Sequence, residues 1–439
     1  MGNIFIKSGA FIIFIRVIGT LLTFVLSVVL ARSLGVAGYG VYSFALSVLM
    51  ILSIPIQSGI PTLAVREAAK AMARNQFPLI GLVLWWGNRL VLSYTLILCV
   101  LLAVFILVAG EWADTQRFHV VVIGFLSIPL VALNLMKTAI IRGSGRVVMG
   151  VIPDGLFRPV INLLLILGVI LFVSDLKVSV FQAMLIYMLS AAATLFISFL
   201  MLKGLAKKYS IKSIKSSSIS LEWRGSLYIL TVVGGAQLLF GYLDTLILGF
   251  FREDAEVGLY RVAIQFSLIV SFGLTVLNQM LHPYFSRFTT SKDFGGLQQL
   301  AVNSSLVIFG VAAIPAIIFI LFGGEILDAI YGEEYLAGLI ALKVLVVGQL
   351  INAAFGSVGA LLNMGGYEKD SMKGMLIAVG LNVLLDLILI PVFGIEGAAV
   401  ASAISISTWN VILRYYVKKR LGIESSGLLY YLKSAYRGV

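Results

Sequence analysis

Apolar runs of about 20 residues recur along the whole chain, separated by short polar stretches where basic residues cluster. A helix of that length crosses a bilayer core of roughly 30 Å. The pattern predicts spans near 8–32, 40–64, 79–109, 119–141, 151–173 and 180–202. A second set follows near 225–250, 258–282, 300–322, 338–363, 372–392 and 396–417. The expected fold is an all-α polytopic membrane protein of about twelve transmembrane helices, with no stretch left over for a soluble domain. The first run is too long for a secretory leader and lacks a small-residue cleavage pattern, so it reads as a retained helix.

The two sets echo one another at an offset of about 220 residues. Gly40-Val41-Tyr42, with Ala45 after it, returns as Gly258-Leu259-Tyr260, with Ala263 after it. The Gly143-Ser144-Gly145-Arg146 turn answers to Gly365-Gly366-Tyr367, and Asn162 to Asn382. Their agreement on one offset points to a duplication. Six spans per half is an even number, so both halves insert the same way round. Parallel repeats of this kind suit two six-helix bundles rocking about a central cavity. The expected domains are an N-terminal bundle over 1–202, a basic linker over 203–224, a C-terminal bundle over 225–417 and a tail over 418–439. Seven of the nine prolines fall inside spans: Pro55, Pro61, Pro129, Pro153, Pro159, Pro315 and Pro391. They provide fixed bends for packing or hinges for alternating access.

Composition agrees with a membrane chain: 60% of residues are hydrophobic and the mean hydropathy is +1.06. The net charge of +12 invites a nucleic-acid reading. Its distribution argues otherwise. With the N-terminus inside, most Lys and Arg fall in the connections on the cytoplasmic side, above all 203–224, and few in the outer loops. Acidic residues gather outside, as Glu325, Asp328, Glu333 and Glu334 do near 323–337. Both termini are therefore expected in the cytoplasm of a bacterial inner membrane, with no nucleic-acid partner. The single Cys99 excludes an intrachain disulfide. His119 and His282 sit at predicted span ends in no metal-ligand pattern.

Charges kept inside apolar spans cost roughly 2.5–3.5 kcal/mol each on insertion scales, so they mark candidate sites. The first half holds Arg16, Arg89, Lys137 and Arg158 against Asp154 alone. Asp154 and Arg158, spaced i,i+4, can pair on one helix face. The excess of cations points to a cationic cavity for an anion, and a guanidinium fork suits a phosphate. Ion pairs that only hold helices together are the alternative.

The second half holds Asp244, Asn382 and Asp386. Asn382 and Asp386, again spaced i,i+4, aim two oxygens one way. With Asp244 they can form a hard-cation or proton site if their helices touch. Pairing of Asp244 with Arg261, or carboxylates that stay protonated, would equally explain them. No GxSxG, P-loop or HExxH occurs, so covalent chemistry is not expected. A membrane glycan polymerase or glycosyltransferase is the remaining enzymatic alternative. Without a nucleotide site, the chain would draw on an ion or substrate gradient.

Three stretches carry a family resemblance. The first runs from Ala31 to Ala45 through Gly35, Gly38, Gly40 and Tyr42. The second joins Asp244-Thr245-Leu246-Ile247-Leu248-Gly249 to Glu256-Val257-Gly258-Leu259-Tyr260. The third is Leu389-Ile390-Pro391-Val392-Phe393-Gly394-Ile395-Glu396-Gly397-Ala398-Ala399 and on to Ser402. Together they resemble the Wzx-type polysaccharide-synthesis flippases of the multidrug/oligosaccharidyl-lipid/polysaccharide exporter superfamily. The resemblance implies two six-helix bundles forming a V-shaped central cavity. It also implies alternating-access transport of an undecaprenyl-diphosphate-linked oligosaccharide, as in O-antigen assembly. The implied partners are this substrate, membrane lipids, and glycan polymerases or glycosyltransferases. The diphosphate would fall to Arg16, Arg89, Arg158 and Lys137. Distantly similar lipid II flippases bind sodium between their seventh, eleventh and twelfth helices. Asp244, Asn382 and Asp386 match those positions, with Ala398 and Ser402 near the twelfth-helix one. Sodium or a proton is thus the implied coupling ion, with no other cofactor. A cation-coupled multidrug antiporter of the same superfamily is the competing function.

Overall fold

The computed structural model describes the backbone of residues 2–108, 115–172, 178–208 and 221–437, and the side chains of 11–107, 115–172, 178–207, 223 and 225–432. Most of the predicted basic linker, with Lys212, Lys215 and Ser216-Ser217-Ser218, lies outside the described residues, as do the Lys208 and Tyr436 side chains.

The described residues are helical nearly throughout. In order come α1 (Gly2–Leu52), α2 (Ile54–Gln57), α3 (Gly59–Ala73), α4 (Phe77–Val108), α5 (Gln116–Phe125) and α6 (Ser127–Gly143). Next are α7 (Val147–Ile152), a π-helical turn (Pro153–Phe157), α8 (Arg158–Phe172), α9 (Val180–Lys208), α10 (Leu221–Phe251) and α11 (Asp254–Thr290). Then follow α12 (Phe294–Tyr331), a 3₁₀ turn (Glu333–Gly338), α13 (Leu339–Phe355), α14 (Val358–Met364), α15 (Glu368–Leu421) and α16 (Gly427–Arg437).

Ten helical stretches among the described residues are long and apolar enough to span a bilayer. Two of them fold back. In α1, Ser27 and Tyr39 share a hydrogen bond of 3.0 Å. Twelve residues of straight helix would separate them by about 18 Å. The chain reverses at Gly35, whose φ of 70° and ψ of 173° leave the helical region. The 54 residues of α15 would measure about 80 Å if straight. Instead Gly374 packs on Leu413, and Arg420 pairs with Asp370 at 2.7 Å. The reversal is at Gly394, with φ 59° and ψ −131°, a conformation few residues but glycine adopt. Arg252 holds this corner by donating to the carbonyls of Ile390 and Pro391. Two hairpins within ten stretches give the twelve crossings expected from hydropathy.

Packing divides the chain into two compact units, Met1–Tyr242 and Leu243–Val439. The boundary therefore falls inside α10 and not in the 203–224 connection. The reason is local. Trp86 of α4 meets Trp223 edge-on, 5.4 Å between ring centroids, and Gly234 packs on Ser58, so the first part of α10 is committed to the first unit. In the second unit the segment after α15 is fixed by polar ties. Arg414 forks onto Glu424 with two bonds of 2.6 Å, and the Gly427 amide donates to Ser305. The tail is thereby docked, leaving Tyr430 and Tyr431 exposed.

Candidate functional site

The first unit carries a polar centre around the π turn. Pro153 cannot donate a backbone N–H, and the Arg158 amide bonds to the Pro153 carbonyl five residues back. The widened turn undoes the i,i+4 alignment expected of Asp154 and Arg158, and no ion pair within 4 Å joins them. Each takes other partners. Ser198 donates to Asn134 at 2.6 Å, and Asn134 donates to Asp154 at 2.7 Å. The Arg158 guanidinium lies over the Tyr187 ring, 4.8 Å from its centroid. Asp154 Oδ2 and Arg158 Nη2 are buried without a hydrogen-bond partner. Arg142 stands in the field of both Asp154 and Arg16. Gly19, one turn beyond Arg16, lies so close to the Gly155 carbonyl that no side chain fits between them. Arg16, Arg142 and Arg158 thus outnumber the one carboxylate.

The four cations read from the sequence do not form one cluster. Arg158 belongs to the π-turn centre, and Arg16, exposed on α1, stands at its edge in the field of Arg142. Arg89 and Lys137 line a separate cavity of about 620 Å³. Arg89 is exposed and lies over Trp85, and Lys137 is 9% exposed.

The second unit brings Asp244, Asp386 and Ser402 together, with Asn382 one turn before Asp386 on the same helix. Asp244 on α10 accepts from Tyr260 of α11 at 2.7 Å. It also accepts a short bond from Ser402, beyond the α15 corner. Asp386, before that corner, lies within hydrogen-bonding range of Asp244. These partners replace the alternative ion pair with Arg261. Asn382 and Asp386 are fully buried. Asp244 Oδ1, both oxygens of Asp386, and both Asn382 side-chain polar atoms are buried without a hydrogen-bond partner. Two facing carboxylates are acceptors with no donor between them, so the cluster needs a proton or a cation. Its oxygens suit a hard monovalent ion. No group of three His, Cys, Asp or Glu side chains converges among the described residues.

Sequence reasoning missed Tyr260, Asn134, Ser198 and Tyr187. Tyr260 marks the internal repeat and closes the stretch that begins at Asp244, and that shared stretch is the available signal. The other three are polar residues of ordinary apolar spans.

The polysaccharide biosynthesis protein family matches residues 5–289, and the chain belongs to that family. A curated relative, the probable flippase AglR of Haloferax volcanii, is 29% identical over 180 residues, 40% of this chain and 37% of its own length. The chain thus spans well under half of that relative. Two solved structures share the fold. A multidrug resistance MATE family transporter of the MOP superfamily, inward-facing, superposes with a TM-score of 0.73 at 12% identity, over 92% of this chain and 94% of its own. The lipid II flippase MurJ, inward closed, gives 0.72 at 14% identity, over 92% and 87%.

Proposed function

We propose that this member of the polysaccharide biosynthesis family is a flippase that moves lipid-linked oligosaccharide units across the cytoplasmic membrane by alternating access. The observation that carries the reading is the division of charge. The first unit concentrates guanidinium groups around one carboxylate. The second buries Asp244, Asp386 and Asn382, and leaves Asp244 Oδ1, both Asp386 oxygens and both Asn382 side-chain polar atoms without a hydrogen-bond partner. An anionic cargo and a coupling cation would each find one matching unit.

In this reading Arg16 and Arg158 hold the diphosphate of an undecaprenyl-type carrier during crossing, with Arg89 and Lys137 contacting it at another stage. Asp244, Asn382, Asp386 and Ser402 would hold sodium or a proton. A bound sodium ion would supply the positive charge that Asp244 and Asp386 lack. The chain's own part is to bring α10 and both arms of α15 to that charge, so filling the site favours the arrangement in which they meet. Both termini lie in the cytoplasm, consistent with the Lys/Arg bias. The AglR name and the fold shared with MurJ support a flippase; the fold shared with a MATE transporter keeps cationic-drug antiport as the rival.

The test is reconstitution in proteoliposomes with a fluorescent polyprenyl-diphosphate-linked oligosaccharide. Protection of the label from a membrane-impermeant quencher should change with time in wild type, and Arg158→Gln should abolish the change. Export of a cationic dye without movement of the lipid-linked probe would decide for the rival.

A further inference from the structure

The groove holding Arg89 and Lys137 has features that the π-turn centre lacks. α4 and α9 form its walls and α6 its floor. Lys137 on the floor is nine-tenths buried yet has no hydrogen bond or ion pair with any described residue. Asn88 Oδ1, also lining the groove, is buried without a partner. Lys203 completes a set of three cations with no carboxylate among the lining residues. The remaining wall is apolar, and Leu92 and Phe199 at its edge are exposed. An ammonium at the floor of a groove that holds no counter-charge calls for an anion. An apolar rim open to the side of the bundle calls for a hydrocarbon chain.

Depth agrees. Lys203 lies five residues before the end of α9 at Lys208, and Lys137 six before the end of α6 at Gly143. Both are about 8–9 Å inside those ends. Arg89 is twelve residues after the start of α4 at Phe77, about 18 Å in. These three helix ends lie on one side of the bundle, the side that leads into the basic connection. Helical side chains lean toward their own N-terminus. Arg89 therefore leans outward along α4, while Lys137 and Lys203 lean inward, and the three charges approach one level.

We propose that this lateral groove is a docking station for the diphosphate and first isoprene units of the lipid-linked cargo, distinct from the π-turn centre. The inference rests on the flippase reading. The glycan stays in water beyond the helix ends, the diphosphate meets Lys137, Arg89 and Lys203, and the chain lies along Leu92 and Phe199. Asn88 turns its amide toward the phosphate oxygens or a bridging hydroxyl.

The probe is farnesyl diphosphate, added to the full-length protein in nanodiscs of neutral lipid. Trp85 beneath Arg89 reports through its emission, and Trp85→Phe identifies the signal. Saturable binding is expected, weakened about tenfold or more by Arg89→Gln and by Lys137→Met, since each removes a charge-assisted contact. Lys203→Gln, at an exposed position, serves as a third variant that should fold normally and should also weaken binding. Inorganic diphosphate should bind at least about tenfold more weakly than farnesyl diphosphate, because it leaves the apolar wall bare. Equal affinity of variants and wild type would overturn the proposal. So would equal competition by phosphatidylglycerol, which would make the groove a general anionic-lipid site. The flipping assay separates the two readings. If wild type flips and the groove variants flip equally well, the docking station fails alone. If wild type moves no lipid-linked probe, the flippase reading fails while the binding result stands.

Discussion

Replacing Asp386 with Asn should stabilise the sodium-free protein and abolish its response to sodium. Asp386 and Asp244 are buried within hydrogen-bonding range of each other, and no donor stands between them. Tyr260 and Ser402 both bond to the same oxygen of Asp244, Oδ2, and leave Oδ1 bare. Two like charges about 4 Å apart repel by about 4 kcal/mol at an effective dielectric constant near 20. The wild type without sodium carries that repulsion or takes up a proton to relieve it. Asp386→Asn removes one charge and supplies an N–H donor, so part of that energy returns as stability. In wild type, sodium at a hundred times its dissociation constant should add about 2.7 kcal/mol. For a cooperative unit near 200 residues this is a rise in Tm of roughly 5–10 °C.

The assay is thermal unfolding of the purified protein in detergent, in sodium chloride against choline chloride at equal ionic strength. Wild type should show a saturable rise with sodium. The variant should start higher and stay flat. Raising the pH without sodium should destabilise wild type, because it strips the proton that relieves the same repulsion, and should do little in the variant. The reasoning is refuted if wild type unfolds at one temperature in sodium and choline and ignores pH. It is also refuted if Asp386→Asn lowers the sodium-free Tm while keeping the sodium increment, since the carboxylate would then be structural.

Four further outcomes follow from the geometry. Asn134→Leu should destabilise the protein by about 2–4 kcal/mol in thermal unfolding, because it strands both the Ser198 hydroxyl and Asp154 Oδ1 in a buried site. Gly394→Ala places a side chain at positive φ beside Glu256 and should cost about 1–3 kcal/mol, measurable as a lower Tm, while Gly380→Ala, in open space on the same helix, should be close to neutral. Arg158→Lys should transport less than wild type and more than Arg158→Gln in proteoliposomes, since an ammonium keeps the charge without the planar fork over Tyr187. Cysteines at Ser217 and Glu333 should react with an impermeant maleimide from opposite faces of the membrane; same-side labelling in intact cells would overturn the orientation.

The crossings were legible because bilayer thickness imposes one length on every span, and that length survives in sequence whatever the packing. Even the corners at Gly35 and Gly394 were readable, since the predicted spans break at 33–39 and 393–395. The carboxylate cluster was legible for a related reason: a carboxylate in an apolar run stands out, and the i,i+4 spacing of Asn382 and Asp386 holds in an unbroken helix. The same spacing failed for Asp154 and Arg158 because a π turn intervenes. Partners from other helices were beyond reach. Asn134 and Ser198 are 64 residues apart, and nothing local marks them as bonded. The separation of Arg89 and Lys137 from Arg16 and Arg158 is likewise tertiary, set by which helix faces α4, α6 and α9 turn toward one another.

The repeat offset of about 220 residues shows how the two units hold opposite charges at corresponding positions. Tyr42 and Tyr260 differ by 260 − 42 = 218 positions, and both are buried. Tyr260 donates to Asp244, whereas Tyr42 stands near the Arg158 guanidinium. A phenol serves either charge, as donor to a carboxylate or as oxygen acceptor to a cation. Asn162 and Asn382, 220 apart, are both buried, but the residue four positions on is Ile166 in one unit and Asp386 in the other. Conversely, Asp154 and Arg158 correspond at the same offset to Gly374 and Ala378. There Gly374 packs tightly on Leu413, and Ala378 is fully buried. Each unit thus packs small or aliphatic residues where its counterpart keeps charges. Buried charge is expensive, and neither set is paired off within its own unit: Asp154 Oδ2, Arg158 Nη2 and both oxygens of Asp386 lack partners. A scaffold selected for stability alone would have kept the aliphatic version in both halves. Unpaired charges of opposite sign in the two units are what the proposed flippase would require, an anion to complete one unit and a cation to complete the other.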